Sequence, residues 1–350
     1  MSCLRLLVCC AFLLLFSLGE CCAEWSLLGL EGKSVLSVEV DPTRDTIIYA
    51  GTNGAGLLVS RDKGETWNNL LENASVYAIA INRKNPDMIL IGTENGLSIS
   101  RNGGSRFQPL AIIKYNGKVY PYNGLGCIAF DETATQAVLV GIDGGLFKTF
   151  DFGKTWEPAG LSEYEITSIS IDNSGPKAVI YAGTTDGGIF ASANYGMTWR
   201  PINSGINDLS VNALLCDRML HNILYAGTLG GGVYVSSDYG DNWKMITVDL
   251  RSLSGYTLEQ AVDPQTNRSI VYVGNYDGEI FMTEDGGNTF AKVGERLVGK
   301  PVLCLSCSNV LPSSLYLGTN DGLYVRKHEA QDNPSGETAD SVLNDQQQRR

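Results

Sequence analysis

The sequence predicts an all-β chain of seven small four-stranded antiparallel sheets set radially around one axis. Three observations carry this. A turn phrase ending in an aromatic occurs six times, its central Asp or Asn falling at 62, 102, 151, 194, 238 and 285, which are 40 to 49 residues apart. A Gly-rich joint occurs seven times, starting at Gly51, Gly92, Gly141, Gly183, Gly227, Gly274 and Gly318. Between these lie short runs of alternating apolar residues, the period of a half-buried strand. A repeat of this length marks a β-propeller, whose units cannot bury their apolar faces without neighbours.

In chain order, residues 1–23 differ from everything that follows. Arg5 precedes an apolar run from Leu6 to Leu18, too short to span comfortably as a mature helix. This is the layout of a signal peptide, with Cys21 and Ala23 at −3 and −1 for cleavage before Glu24. Lipidation at Cys21 is the rival reading, opposed by the charge of Glu20, and an uncleaved anchor is a third. Export to the periplasm, cell envelope or extracellular space follows from either of the first two.

Residues 24–328 form the propeller. Each unit reads as an apolar strand, a polar turn, a second strand ending in Gly-Thr, the Gly-rich joint, a third strand, the Asp turn with its aromatic, and a short fourth strand. Glycine in the joint supplies the positive φ of a tight hairpin. The seventh unit lacks an Asp turn and fourth strand, while Trp25-Ser26-Leu27-Leu28 matches the aromatic-led fourth strands beginning at Trp67, Trp156, Trp199 and Trp243. The N-terminal strand is therefore expected to complete the seventh blade and remove its open edge. Residues 329–350 are too polar to bury a core and read as a disordered tail.

Nine cysteines give little framework, because five lie in the first 23 residues. Cys304 and Cys307 sit in one strand and point to opposite faces, so they are expected to be buried thiols rather than a disulfide or zinc site.

The phrase S/T-x-D-x-G-x-T-W, as in SRDKGETW (Ser60–Trp67) and TFDFGKTW (Thr149–Trp156), resembles the Asp-box or bacterial neuraminidase repeat. The unit from Val40 to Trp67 is similar to those of sortilin-type and photosystem II assembly-factor-like propellers, and to glycosidase-type members. The resemblance covers residues 25 to 327. It implies the fold, and it implies that the Asp turns lie opposite the usual ligand face. Activity stays open, since the family spans sialidases, xyloglucan-type glycosidases, sorting receptors and assembly factors.

Asp62, Asn102, Asp151, Asn194, Asp238 and Asp285 are expected to be structural, their side-chain oxygen accepting backbone N–H groups of the turn. Trp67, Trp156, Trp199 and Trp243 are expected to pack between blades. Function is expected on the other rim, where the Gly-rich turns project Glu94, Asp143, Asp186, Asp277, Glu279 and Asp321, joined by Asn53, Asn95 and Asn320. Such a ring favours a cationic partner, although Asp and Asn also suit Gly turns for local reasons. The same rim carries the longest interruption of the repeat, residues 111–126, with Tyr115, Tyr120 and Tyr122 beside Lys114 and Lys118. Rigid aromatics on a long loop suit binding, and an extra hairpin is the plainer alternative.

A formal charge of −12 argues against nucleic acid, which needs a basic stripe. Two histidines leave poor material for histidine-dependent nucleophiles. A sialidase would need converging arginines, and Arg61, Arg101 and Arg106 fall in or beside the Asp turns. A glycoside hydrolase needs two carboxyls at defined separation, which Asp143 and Asp277 would satisfy only across the axis. The expectation is a monomeric, non-enzymatic, exported scaffold that binds a protein. A carbohydrate-active protein, hydrolase or sugar binder, is the alternative. No cofactor is called for, calcium on the acidic rim being the one left open, and a membrane would enter only through a lipid anchor.

Overall fold

The computed structural model describes residues 24–110, 113–115, 118–120, 127–132, 136–246, 257–263, 268–308 and 314–327. Among them are seven four-stranded antiparallel sheets, one two-stranded hairpin and no helix. The expected signal peptide, the tail from 329 and Tyr122 lie outside the described residues.

Blade 1 shows the plan, with strands Val35–Val40, Ile48–Thr52, Leu57–Ser60 and Asn68–Leu71 paired in that order. The first strands of the blades lie nearest the axis. They are Val35–Val40, Val76–Ile81, Cys127–Phe130, Ile166–Asp172, Val211–Cys216, Thr257–Asp263 and Cys304–Cys307, and each lies against the next until the ring returns to blade 1. Blade 7 closes as expected: Ser26–Gly29 pairs with Gly322–Lys327, setting Ser26 opposite Val325 and Leu27 opposite Tyr324. A closed ring leaves no open edge between the first and last blades.

Every blade sends its aromatic onto the blade before it. Trp243 donates from Nε1 to the Ile202 carbonyl at 2.7 Å, and Trp199 to the Ala159 carbonyl at 2.7 Å. Trp156 packs beside Met88 and Leu110, Trp67 beside Leu28, Phe107 beside Tyr49 and Phe290 beside Tyr225. Trp25 fills the same role for blade 7, resting on Gly294 of blade 6. Trp156 and Trp243 are buried, while Trp67 and Trp199 are half-buried.

Glycines of the joints supply positive φ as expected, and the first glycine of the joint has a second job. Positive φ belongs to later glycines such as Gly54, Gly188 and Gly232. Gly51 and Gly183 are needed because the next blade comes so close: a Cβ at Gly51 would meet the Val76 carbonyl at 2.6 Å, and one at Gly183 would meet Val211 at 2.9 Å. The following threonine then closes the joint, Thr52 and Thr184 donating to the Gly56 and Gly188 carbonyls at 2.8 Å.

Cys127, Cys216, Cys304 and Cys307 are free thiols. Burial pushes the first three up to about 12, so they are inert packing groups at neutral pH.

Candidate functional site

The hydrogen bonds between loops divide the molecule into two rims. On one rim the Asp turns meet the turns between first and second strands, as where the Lys63 amide donates to the Thr46 carbonyl and Tyr239 to Asn222. On the other, the Gly-rich turns meet the links between blades: Gly56 donates to Ala74, Gly188 to Leu209, Leu229 to Ser210 and Val302 to Asn275.

The Asp-turn rim repeats one device. Asp62 Oδ1 accepts the Ser60 hydroxyl at 2.7 Å and the Thr66 amide at 2.9 Å, and Oδ2 accepts the Thr66 hydroxyl at 2.5 Å. The Ser60 oxygen in turn accepts the Gly64 amide at 2.7 Å. Asp151, Asp238 and Asp285 repeat the pattern, and Asn102 and Asn194 keep its Oδ1 half. Hydrogen bonds from Thr66, hydroxyl then amide, and from Ser60 hold the Asp62 carboxyl at about 2. All six oxygens are thus committed to their own turns.

The link rim gathers the acidic residues that the sequence placed there, and the structure separates them. Glu94 Oε2 accepts the Ser75 amide of the adjoining link at 2.6 Å. Asp321 accepts the Gly32 amide at 3.1 Å and pairs with Lys300. Asp277 lies 3.5 Å from Arg296. Glu279 is 4% exposed, with Oε1 3.1 Å from Lys292 and a buried Oε2 that has no partner among the described residues. Two residues absent from the sequence reading act similarly: Asp208 accepts the Gly230 amide at 2.7 Å, and Glu165 the Thr185 hydroxyl at 3.0 Å. Apart from Glu279, whose lysine lies in its own blade, these carboxylates staple an interblade link to the turn beside it. Asp143 and Asp186 are different, for their side chains have no partner among the described residues.

Apolar side chains also surface here, namely Leu209, Leu229, Tyr276 and Val298. The long link contains a hairpin, Ile113–Tyr115 with Lys118–Tyr120, in which Tyr115 stands opposite Lys118 and Ile113 opposite Tyr120. Ile113 is buried against Leu97 and Trp156, which anchors the hairpin to blades 2 and 3. No grouping of His, Cys, Asp and Glu suited to a metal ion occurs among the described residues.

One cluster had no linear signal at all. Glu39, Arg83, Glu132, Arg218 and Glu259 come from five blades and meet around the axis, toward the Asp-turn rim. Arg83 Nε lies 3.4 Å from Glu132 Oε1. Burial and then the Glu259 carboxylate push Glu39 up to about 8, against the pull of Arg83 and Arg218. Burial also raises Glu259, while Arg218 is lowered by burial and by Arg83. Glu39 and Glu259, both half-buried, thus share the axis with two guanidinium groups in a plug of mixed charge.

The fold and these sites define a seven-bladed propeller with one repetitive rim and one varied, acidic rim. No family model and no curated protein matches the chain. Among solved structures, it is similar to YCF48 bound to D1 peptide, with a TM-score of 0.64 and 16% identity over 89% of this chain and 97% of that one. It is also similar to YCF48 from Cyanidioschyzon merolae, with a TM-score of 0.64 and 15% identity over 87% and 99% of the two chains. The GH74 xyloglucanase from Xanthomonas campestris gives a TM-score of 0.66 and 16% identity over 89% of this chain, which spans 55% of the enzyme. At such identities the likeness is one of fold.

Proposed function

We propose that this chain is an exported Asp-box propeller that works as a protein-binding scaffold, its link rim receiving a basic segment of a partner in the cell envelope or outside the cell. The observation that carries the reading is the pair Asp143 and Asp186, two carboxylates with no partner among the described residues, on a rim whose described cations are few. Of those cations, Arg296 and Lys300 are already engaged by Asp277 and Asp321. Unneutralised carboxylates on turn tips attract cationic side chains and speed their encounter. Exposed Tyr276 and Val298 supply apolar contact beside them. That YCF48, a propeller of the same shape, was solved with a peptide bound is consistent with this use of the fold.

The test is affinity capture from the native envelope fraction with the wild-type chain and an Asp143→Asn, Asp186→Asn double variant. Loss of the same partner supports the rim as its contact, and unchanged capture rejects it.

A second reading, glycoside hydrolysis, draws on Glu39 and Glu259. A carboxyl held protonated near neutral pH beside a second carboxyl is the pairing such chemistry uses. Reducing-end release from xyloglucan oligosaccharides that disappears in Glu39→Gln and Glu259→Gln would support it. A wild-type chain that releases none removes it.

A further inference from the structure

Because six blades share the Asp turn, the molecule supplies its own comparison. Blade 4 alone has alanine on both sides of the turn's first hydroxyl residue, Ala191 and Ala193 around Ser192. The other five have Val59 and Arg61, Ile99 and Arg101, Lys148 and Phe150, Val235 and Ser237, and Met282 and Glu284. The cross-strand register shows what this removes. Tyr49, Tyr225 and Tyr272 stand opposite Val59, Val235 and Met282, whereas Tyr181 stands opposite Ala191.

The missing side chains leave a pocket of about 480 Å³, walled by Tyr181, Trp199 and Tyr239 and lined also by Arg200. Tyr181 is 2% exposed, yet its hydroxyl has no partner among the described residues. Tyr49, at the matching register, donates to the Gly103 carbonyl at 3.0 Å, whereas Tyr225 and Tyr272, also buried, share with Tyr181 a hydroxyl with no partner among the described residues. Tyr239 and Tyr195 sit in the left-handed region at φ 60° and 52°, the conformation that Lys63 and Phe152 also adopt at this turn position in blades 1 and 3 and that Gly103 and Gly286 adopt in blades 2 and 6. Around the pocket, Met197 is 76% exposed and Tyr239 53%.

We propose that this pocket docks an extended protein segment, which inserts one aromatic side chain and sets a neighbouring carboxylate against Arg200. The volume and the aromatic walls suit a ring, and a buried anchor within an apolar surround is the usual form of a binding hot spot. Charge favours an anion here: the turn of blade 4 carries Asn194 where four others carry Asp. Among the described residues Arg200 is held by an exposed pair with Asp241 at 2.9 Å, which a ligand carboxylate can replace at small cost. The site lies on the rim opposite Asp143 and Asp186, so each can fail without the other.

The test uses a fluorophore-labelled hexapeptide, Gly-Ser-Asp-Phe-Ser-Gly, titrated with the full chain and read by anisotropy. Saturable binding is expected, weakened roughly tenfold or more by Ala191→Val with Ala193→Arg. That variant installs the residues of blade 1, which the fold already tolerates, and circular dichroism melting checks that it folds. Arg200→Gln and a peptide with Asn for Asp should each weaken binding, and a peptide with Ala for Phe should abolish it. Asp143→Asn with Asp186→Asn should leave it unchanged. Absence of saturable binding at millimolar peptide, equal binding by the filled variant, or retained binding of the Ala peptide would each overturn the proposal. Displacement of the peptide by xyloglucan oligosaccharides would overturn it too, by assigning the pocket to a sugar.

Discussion

The two rims are built from the same number of blades and treat their carboxylates in opposite ways. On the Asp-turn rim each Asp or Asn makes the same contacts inside its own turn, and replacing Asp by Asn at 102 and 194 keeps the amide and hydroxyl bonds at Oδ1. On the link rim the acids differ in their contacts: Glu94 and Asp208 hold amides, Asp321 an amide and a lysine, Asp277 an arginine, and Asp143 and Asp186 nothing described. Repetition accompanies stability, because each blade must solve the same packing problem. Variation accompanies recognition, because a partner meets only some blades. Blade 4 is the instructive exception, since its two alanines break the pattern on the otherwise uniform rim.

The largest effect that would break this contrast concerns the interblade aromatics. Trp156 is 7% exposed and packs on blade 2, so Trp156→Ala should cost about 3–5 kcal/mol of unfolding free energy, read by denaturant titration. Half-buried Trp67 should cost less when truncated in the same way. A Trp156 variant as stable as the wild type would show that the blades do not depend on this contact.

The axial plug should come next. Glu39 holds its proton up to about 8 in the folded chain, against about 4.3 for an ordinary glutamate. Its folded pKa is raised, so its contribution to stability is complete below the unfolded value and is lost as pH climbs toward about 8. Glu39→Gln cannot ionise, and its melting temperature should gain on the wild type steadily from pH 5 to pH 8. Parallel curves for the two proteins would place Glu39 in open solvent.

Much of this was legible in the sequence. The six turns and seven joints announce the blades, and Trp25 announces which strand closes the ring, because each is a local pattern repeated at a fixed interval. The Gly-rich turns also reported the acidic rim. What the residues could not report is how Glu94, Asp277 and Asp321 are neutralised, since Ser75, Arg296 and Lys300 lie in links of no fixed length. The axial cluster was silent for a stronger reason. Glu39, Arg83, Glu132, Arg218 and Glu259 belong to five different repeats and meet only when the ring closes. The blade 4 pocket was present in the text as Ala191 and Ala193, visible only on aligning the six third strands by register.

A smaller effect sharpens the reading of the Asp turns. Hydrogen bonds hold Asp62 at about 2, below the usual 3.9 or so, so its contribution is present above the unfolded value and lost as pH falls through the folded one. Asp62→Ala should lower the melting temperature at neutral pH, with the deficit shrinking between about pH 4 and pH 2. Asp62→Asn should stay closer to the wild type, as Asn102 and Asn194 already serve. An Asn variant as damaged as the Ala one would mean that the charge, not the acceptor, matters.

The smallest expected effect is the most telling for the contrast. Asp143 and Asp186 satisfy nothing in their own chain that is described, so Asp143→Asn with Asp186→Asn should change unfolding free energy by no more than about 0.5 kcal/mol. Removing two negative charges from an acidic rim relieves repulsion, so any change should be a slight gain, strongest at low salt where screening is weak. A clear loss of stability would show these carboxylates to be staples like Glu94, leaving the two rims alike in kind. Near-neutrality in melting, together with loss of a captured partner, is the combination that only a binding role produces.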